Sequence, residues 1–190
     1  MDSPMLSIAE KKITVQEFLD RDDFEEGFLY ELIDGEIVKK QAPSPEHQNA
    51  SGNLFARIHQ FNREKQLGGK CLAAPLDVYF TEIDYYQPDI IFIAKARQAI
   101  ITPDGIEGAP DLVVEILSPG TYRHDRDRKM KVYRRTGVQE YWIVDPKSRS
   151  VEIYSLAEGD YEMTDFATEK GAVQSKLLEG LTVDLEEIFD

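Results

Sequence analysis

One apolar run sets the architecture expected of this chain: APDLVVEIL, residues 109–117. A short run this rich in Val, Ile and Leu is typical of a buried β-strand. It carries Glu115 between Val114 and Ile116. A buried ionised carboxylate is costly without a partner, so Glu115 must either lie at a strand end or face a cation.

A second run of the same kind, QPDIIFI at residues 87–93, places Asp89 at the start of a neighbouring strand. A basic segment, residues 123–135, follows the first run and contains Lys129. Proteins hold Mg²⁺ through one or two carboxylates, and the ion can neutralise phosphoryl oxygens and activate water. Two acids on adjacent strands with a lysine close by therefore suggest metal-assisted phosphodiester hydrolysis.

The rest of the chain alternates helices and strands. Asp34-Gly35 between apolar residues predicts a tight hairpin over 28–38, and Ser44 or Pro45 begins a helix that extends to about Lys65. The other predicted elements are a short helix from Thr14, strands over 71–80, 87–94, 109–117, 140–146 and 151–156, a helix over about 125–136, and a short helix over 183–189. This order of helix, three strands, helix and strand indicates an α/β fold class, with a mixed (α+β) sheet covered by helices.

The composition favours a single domain over residues 1–190, because 42% hydrophobic residues suffice for one core. Cys71 is the sole cysteine, which excludes an intrachain disulfide, and we expect it to be buried as a small hydrophobic residue. No Cys/His cluster has zinc spacing, and no apolar stretch approaches the ~20 residues of a membrane span. We expect a cytoplasmic protein with no membrane partner.

The net charge of −14 opposes nonspecific adhesion to DNA, because phosphate contacts need Lys and Arg. Residues 123–135 differ from the rest of the chain, since they hold seven basic residues against two acids. This basic strip could dock a polyanion, although a solvated helix face is an equally good interpretation. The residues predicted to contact the DNA backbone are Arg123, Arg126 and Arg134.

Asp89 and Glu115 are the predicted metal ligands, and Lys129 is the predicted third catalytic residue. An ammonium near the scissile phosphate can orient the attacking water and stabilise developing negative charge. Lys131 would face elsewhere on the same helix. Candidate accessory residues are Glu31, His47 and Asp77.

Several nearby residues have structural explanations. Asp111 follows a proline, which favours a turn, and Asp125 precedes Lys129 by one helical turn, which favours an i,i+4 ion pair. Tyr141 and Trp142 are expected to pack in the core.

Five phrases of the chain carry a resemblance to a known family: YELIDGE (30–36), PSPEHQ (43–48), QPDI (87–90), residues 108–119, and GVQEYWIVDP (137–146). They are similar to phrases shared by a bacterial family of restriction-endonuclease-like proteins within the PD-(D/E)XK nuclease superfamily. The resemblance covers about residues 28–156. It implies a restriction endonuclease-like core over that range, with the N-terminal hairpin and a C-terminal strand extension attached.

The resemblance also implies roles for individual residues. Pro88-Asp89 matches the Pro-Asp of the superfamily, and Glu115 matches the acid of its (D/E)-x-K motif, but Leu117 stands where the lysine is expected. In the more similar relatives the following helix supplies the lysine, four residues before a tyrosine, and Lys129 before Tyr133 fits that placement. The implied cofactor is Mg²⁺ or Mn²⁺.

Three functions remain open at this point. The first is a metal-dependent endonuclease that hydrolyses phosphodiester bonds of double-stranded DNA, as a homodimer if it cuts both strands. The second is a catalytically inactive nucleic-acid- or protein-binding module on the same fold. The third is a different metal hydrolase that acts on a small phosphorylated substrate, which a deep closed pocket would favour over an open groove.

Overall fold

The computed structural model describes residues 11–118 and 124–190, and within them the chain forms two six-stranded sheets and a separate β-hairpin. The helices are α1 (Val15–Leu19), α2 (Pro45–Glu64), α3 (Met130–Thr136) and α4 (Leu185–Phe189), with a 3₁₀-helix over Lys95–Ile100 and a π-helical segment over His124–Lys129. The strands are β1 (Leu29–Ile33), β2 (Glu36–Lys40), β3 (Lys70–Ala73), β4 (Val78–Thr81), β5 (Asp84–Tyr86), β6 (Ile90–Ile93), β7 (Ile101–Thr102), β8 (Gly105–Glu107), β9 (Leu112–Ile116), β10 (Glu140–Asp145), β11 (Ser150–Ala157), β12 (Asp160–Thr168), β13 (Ala172–Gln174) and β14 (Thr182–Asp184).

The central sheet has the strand order β12-β11-β10-β9-β6-β3. It is mixed, because β9 runs parallel to β10 and antiparallel to β6. All five residues of β9 are buried. A strand buried on both faces is expected between two helical layers, which explains its continuous apolar sequence.

Alternation along β9 decides which helix each side chain meets. Val114 and Ile116 belong to the core cluster that contains Leu54 of α2, whereas Val113 belongs to the cluster that contains Val132 of α3. Successive side chains of a strand point to opposite faces. Glu115 therefore projects toward the α3 side of the sheet.

The second six-stranded sheet contains the N-terminal hairpin and is called the hairpin sheet below. Its strand order is β2-β1-β5-β4-β8-β7. Its first two strands pair antiparallel with Ile33 opposite Glu36, which confirms the turn predicted at Asp34-Gly35. Both turn residues have positive φ, 53° for Asp34 and 75° for Gly35, as tight hairpin turns require.

The structure corrects one predicted strand. Residues 71–80 do not form a continuous strand, since β3 ends at Ala73 and β4 begins at Val78 in the other sheet. Pro75 lies between them and has no N–H for the strand ladder. A small hairpin, β7 and β8, follows the 3₁₀-helix and turns at Pro103 and Asp104.

The other predicted elements match in type, with shifted ends. The predicted helix over 125–136 consists of the π-helical segment followed by α3, and the predicted C-terminal helix begins at Leu185. Trp142, Tyr141 and Cys71 are buried as expected. Nowhere in the described ranges is a helix both long and apolar enough to cross a membrane.

Candidate active site

Asp89 and Glu115 meet because of the register between β6 and β9. The two strands pair antiparallel with Ile90 opposite Val114, so the next pair along this register is Asp89 and Glu115. Directly opposed residues project from the same face of a sheet. The backbone N–H of Ile116 also donates to Asp89 Oδ2 at 2.7 Å, which holds this carboxylate beside the end of β9.

Lys129 brings its ammonium group to three carboxylates. Its Nζ lies 2.9 Å from Glu115 Oε1, 3.0 Å from Glu31 Oε2 and 3.2 Å from Asp125 Oδ1. The contact with Asp125 confirms the predicted i,i+4 pair. The side chain of Lys129 is 0% exposed.

Tyr133 supports the same carboxylate from the next helical turn. Its hydroxyl donates to Glu115 Oε1, the oxygen that Lys129 also contacts. Residues four apart share one face of a helix, so Lys129 and Tyr133 reach Glu115 together. Lys131, two positions after Lys129, is exposed as predicted.

Glu31 reaches this cluster from the hairpin sheet. Its Oε1 accepts hydrogen bonds from Lys129 Nζ at 3.1 Å, from Lys40 Nζ at 3.1 Å and from the backbone N–H of Gln87 at 3.0 Å. Glu31 lies on β1, whereas Lys40 is the last residue of β2. The hairpin therefore contributes one acid and one additional lysine to the site.

His47 stands on the other side of Asp89, in the first turn of α2. Ser44 caps this helix and Pro45 occupies its first turn, which is a common helix start. The Nε2 of His47 lies 3.3 Å from Asp89 Oδ2. Its Nδ1 is buried and has no hydrogen-bond partner within the described residues.

A cleft of about 300 Å³ opens beside these groups. Its polar lining includes Lys40, His47, Gln48, Asp89 and Glu115. Glu31 and Lys129 do not line the cleft. The cluster therefore has an accessible layer at the cleft, which includes Lys40, Asp89 and Glu115, and a buried layer behind it, formed by Glu31 and Lys129.

Burial and neighbouring charges shift the pKa values of the two glutamates in opposite directions. Burial, together with the nearby Asp125 and Asp89, raises the pKa of Glu115 to about 8 despite the attraction of Lys129. Burial would also raise the pKa of Glu31, but Lys129, Lys40 and the N–H of Gln87 outweigh it and lower this pKa to about 2.

The two lysines remain cationic. Burial acts to lower the pKa of Lys129, but Glu115, Glu31 and Asp125 raise it well above its usual value. The pKa of Lys40 is also raised, because Glu31, Glu115 and Asp89 outweigh burial and the repulsion of Lys129. Four acids thus face two ammonium groups, and a divalent cation would supply the positive charge that a proton on Glu115 otherwise provides.

The carboxylates facing the cleft fit Mg²⁺ or Mn²⁺. Asp89 Oδ1 and Glu115 Oε2 form no hydrogen bond with the described residues, whereas the second oxygen of each is occupied. No group of three or more His, Cys, Asp or Glu side chains in residues 11–118 and 124–190 is arranged to hold a metal. Mg²⁺ commonly uses one or two carboxylates and keeps several waters, so two carboxylates suffice.

Asp77, a candidate accessory acid, does not line the cleft. It is in the loop before β4 rather than on a strand, because the predicted strand is interrupted at Pro75. Its Oδ1 accepts hydrogen bonds from the Tyr85 hydroxyl at 2.6 Å and from Gln87 Nε2 at 2.7 Å. These bonds give Asp77 a structural role.

The predicted DNA-binding arginines face carboxylates of this chain. Arg126 makes two hydrogen bonds to Glu152, at 2.9 and 2.5 Å, and Arg134 lies 2.9 Å from Asp160. Neither arginine lines the cleft. Arg123 lies outside the described residues. DNA contact by these arginines stays a prediction.

Lys40 is the site residue that the sequence pattern did not single out. It reaches the cleft because β2 folds back along β1, which places Lys40 opposite Leu29 and brings its Nζ to Glu31. The hairpin prediction contained this pairing, but a charged residue at a strand end is usually solvated. The contact depends on how the hairpin packs on the rest of the chain.

The fold is shared with a solved nuclease-like protein. The crystal structure of a "putative nuclease belonging to DUF820" from Anabaena variabilis superposes with a TM-score of 0.73 at 22% identity, and the match covers 93% of this chain and 97% of that one. The predicted fold class is confirmed: this is an α/β protein with a mixed sheet.

The chain belongs to the family described as "Uma2: Putative restriction endonuclease", which matches residues 15–186. The predicted family is therefore confirmed, over a longer part of the chain than the phrases that suggested it. No functionally curated protein matches the chain.

Proposed function

We propose that this protein is a divalent-metal-dependent endonuclease that hydrolyses phosphodiester bonds of DNA at the cleft. One observation carries the proposal: two opposed carboxylates, Asp89 and Glu115, line one cleft, and each has an oxygen that makes no hydrogen bond with the described residues. Membership of a restriction-endonuclease-like family supports it.

Asp89 and Glu115 would hold Mg²⁺ or Mn²⁺ through these oxygens. The bound ion would supply charge neutralisation at the phosphoryl oxygens and acidify the water that attacks phosphorus. The N–H of Ile116 fixes Asp89, and Lys129 with Tyr133 fixes Glu115. Both carboxylates are thus oriented before a ligand arrives, which lowers the cost of binding.

Lys129 would act through Glu115 and Glu31. An ammonium group has three N–H donors, and three carboxylates surround that of Lys129 in the buried layer. The side chain of Lys129 is 0% exposed and does not line the cleft, so it would not reach the attacking water directly, and we assign Lys129 to positioning. It keeps Glu115 aligned and compensates the charge of Glu31.

The substrate would be double-stranded DNA, and a homodimer would provide one site for each strand. A chain with net charge −14 needs local cations to approach a polyanion. The bound metal and the lysine at the cleft would provide them. Light scattering of the protein alone and with a short duplex tests the dimer, and a monomer in both samples would contradict it.

The direct test is cleavage of supercoiled plasmid by purified protein with Mg²⁺ or Mn²⁺, beside samples in excess chelator. We expect nicked or linear product that the chelator abolishes. Asp89→Asn and Glu115→Gln should each lower the rate at least about 100-fold, because each removes a ligand charge at the reacting phosphate. Asp104→Asn, an exposed acid in the turn between β7 and β8 that does not line the cleft, is the matched control and should cleave at the wild-type rate.

Cleavage that persists in both Asp89→Asn and Glu115→Gln would contradict the site. A wild-type protein that binds duplex DNA with metal but never cleaves it would favour the binding module instead. Hydrolysis of a small phosphate ester without cleavage of plasmid would favour the third function.

A further inference from the structure

Two lysines share the Glu31 carboxylate but differ in access. Lys129 Nζ and Lys40 Nζ each lie 3.1 Å from Glu31 Oε1. Lys129 is 0% exposed and does not line the cleft, whereas Lys40 lines it with 14% of its side chain exposed. A ligand in the cleft can therefore meet the ammonium group of Lys40 and not that of Lys129.

The two ammonium groups also differ in the number of carboxylates that they contact. Lys129 faces carboxylates of Glu31, Glu115 and Asp125. Lys40 Nζ contacts one carboxylate oxygen, Glu31 Oε1, within the part of the chain that the structure describes. With three N–H groups on each ammonium, Lys40 has two that no described residue uses.

The position of Lys40 suits an anion that approaches Asp89 and Glu115. All three residues line the same cleft, and both acids contribute to the raised pKa of Lys40, so their charges are close to its ammonium group. Lysine binds phosphate as a point charge through any of its N–H groups. A phosphodiester held between a metal at the two acids and this lysine would be neutralised from two sides.

We propose that Lys40 is the phosphate-contacting residue of the cleft, and that it donates to a non-bridging oxygen of the DNA backbone at or next to the scissile bond. The proposal rests on the proposed function and names the residue that meets its substrate. Lys129 remains the buried positioning residue behind it. The basic strip of residues 123–135 is not needed for this contact.

The test compares Lys40→Gln, Lys40→Arg and Lys39→Gln with the wild type. Glutamine at position 40 can still donate to Glu31 but has lost the charge, and arginine restores it. Lys39 is the matched control, because it precedes Lys40 on β2 but is exposed and pairs with Glu25 at 2.5 Å. Thermal melting of each variant verifies that it is folded.

Two measurements are made on each variant. The first is KM and kcat for plasmid cleavage with Mg²⁺ or Mn²⁺. The second is binding of a fluorescent duplex with Ca²⁺, which is chosen to suppress turnover, over a series of salt concentrations. The slope of log affinity against log salt reports the number of phosphates neutralised, and a purely structural role of Lys40 would not change it.

We expect Lys40→Gln to weaken duplex binding by about 10- to 100-fold, the usual worth of a charged hydrogen bond, with a matching rise in KM. Its salt slope should fall by about one unit. Lys40→Arg should restore the slope, and Lys39→Gln should match the wild type.

If Lys40→Gln binds duplex with the affinity and salt slope of the wild type, the proposal for Lys40 is overturned. If the wild type nevertheless cleaves DNA, the proposed endonuclease function is unaffected. A wild type that binds duplex but does not cleave overturns the proposed function, and the binding series alone then decides for or against Lys40. A wild type that neither binds nor cleaves DNA overturns both.

Discussion

Lys129 shows how the charge of one buried residue organises a site. Its ammonium group lies within 3.2 Å of carboxylate oxygens from three elements: β1, β9 and the π-helical segment. Segments of π-helix are rare and frequently occur at functional sites. The lysine compensates acids that would otherwise be buried beside one another at high cost.

Replacing Lys129 by methionine should therefore destabilise the protein strongly. We expect the free energy of unfolding to fall by about 3–5 kcal/mol at pH 7, because uncompensated carboxylates remain buried. Lys131→Met, two positions away and exposed, is the control and should change it by about 0.5 kcal/mol or less. Urea denaturation measures both, and equal midpoints would show that the carboxylates do not depend on Lys129.

Glu115 should make stability depend on pH in the absence of metal. Its pKa of about 8 in the folded chain exceeds its ordinary value of 4.5, so between these values the folded chain holds a proton that the unfolded chain has lost. The stabilisation is present below pH 4.5 and is lost as pH rises through about 8. Glu115→Gln stays neutral and lacks this dependence.

The stability of the wild type relative to Glu115→Gln should accordingly decline from pH 5 to pH 9 in chelator. Urea midpoints across this range measure the difference, in which the other titrating groups cancel. Glu162→Gln, at an exposed position, should follow the wild type. Parallel curves for the wild type and Glu115→Gln would contradict the prediction.

At the scale of elements, the β1–β2 hairpin and the β6–β9 pair place the site. The hairpin delivers Glu31 and Lys40, and its geometry depends on the turn at Gly35. There the φ is +75°, and a Cβ would stand 2.6 Å from Lys12 Cβ. Both features disfavour any residue with a side chain.

Gly35→Ala should therefore destabilise the protein by more than about 1 kcal/mol, while Gly52→Ala should stabilise it by about 0.5–1 kcal/mol. Gly52 lies inside α2, and the Cβ of an alanine at this position would have no neighbouring atom within 4 Å. Alanine there therefore adds helix propensity without a clash. Thermal or urea unfolding of the two variants gives the comparison. Changes of the same sign would contradict it.

The sequence predicted most elements because their signals are local. Ser44 and Pro45 marked the start of α2, and Asp34-Gly35 marked the hairpin turn. The break between β3 and β4 was missed because residues 71–80 remain apolar on both sides of Pro75. Apolar periodicity alone does not reveal that a strand changes sheets.

At the scale of the whole molecule, ion pairs with distant acids alter the interpretation of the basic strip at residues 123–135. Of its arginines within the described residues, Arg126, Arg128, Arg134 and Arg135 each pair with an acid from a distant part of the chain: Glu152, Glu36, Asp160 and Asp84. These pairs neutralise much of the positive charge that the local count suggested. A charge count over residues 123–135 omits the acids that pair with these arginines, because those acids lie elsewhere in the chain.

By itself the sequence determined the strand that carries Glu115, the strand that begins directly after Asp89, the helical segment that carries Lys129, and the family to which the chain belongs. The strands and the helix follow from short-range patterns of apolar residues, turns and caps, whereas the family follows from the phrases that the chain shares with its members. The tertiary structure alone decided that Lys129 is fully buried behind the acids and that Lys40 lines the cleft. Access and charge compensation depend on contacts between residues far apart in the chain, here 98 positions between Glu31 and Lys129, and no local pattern encodes them.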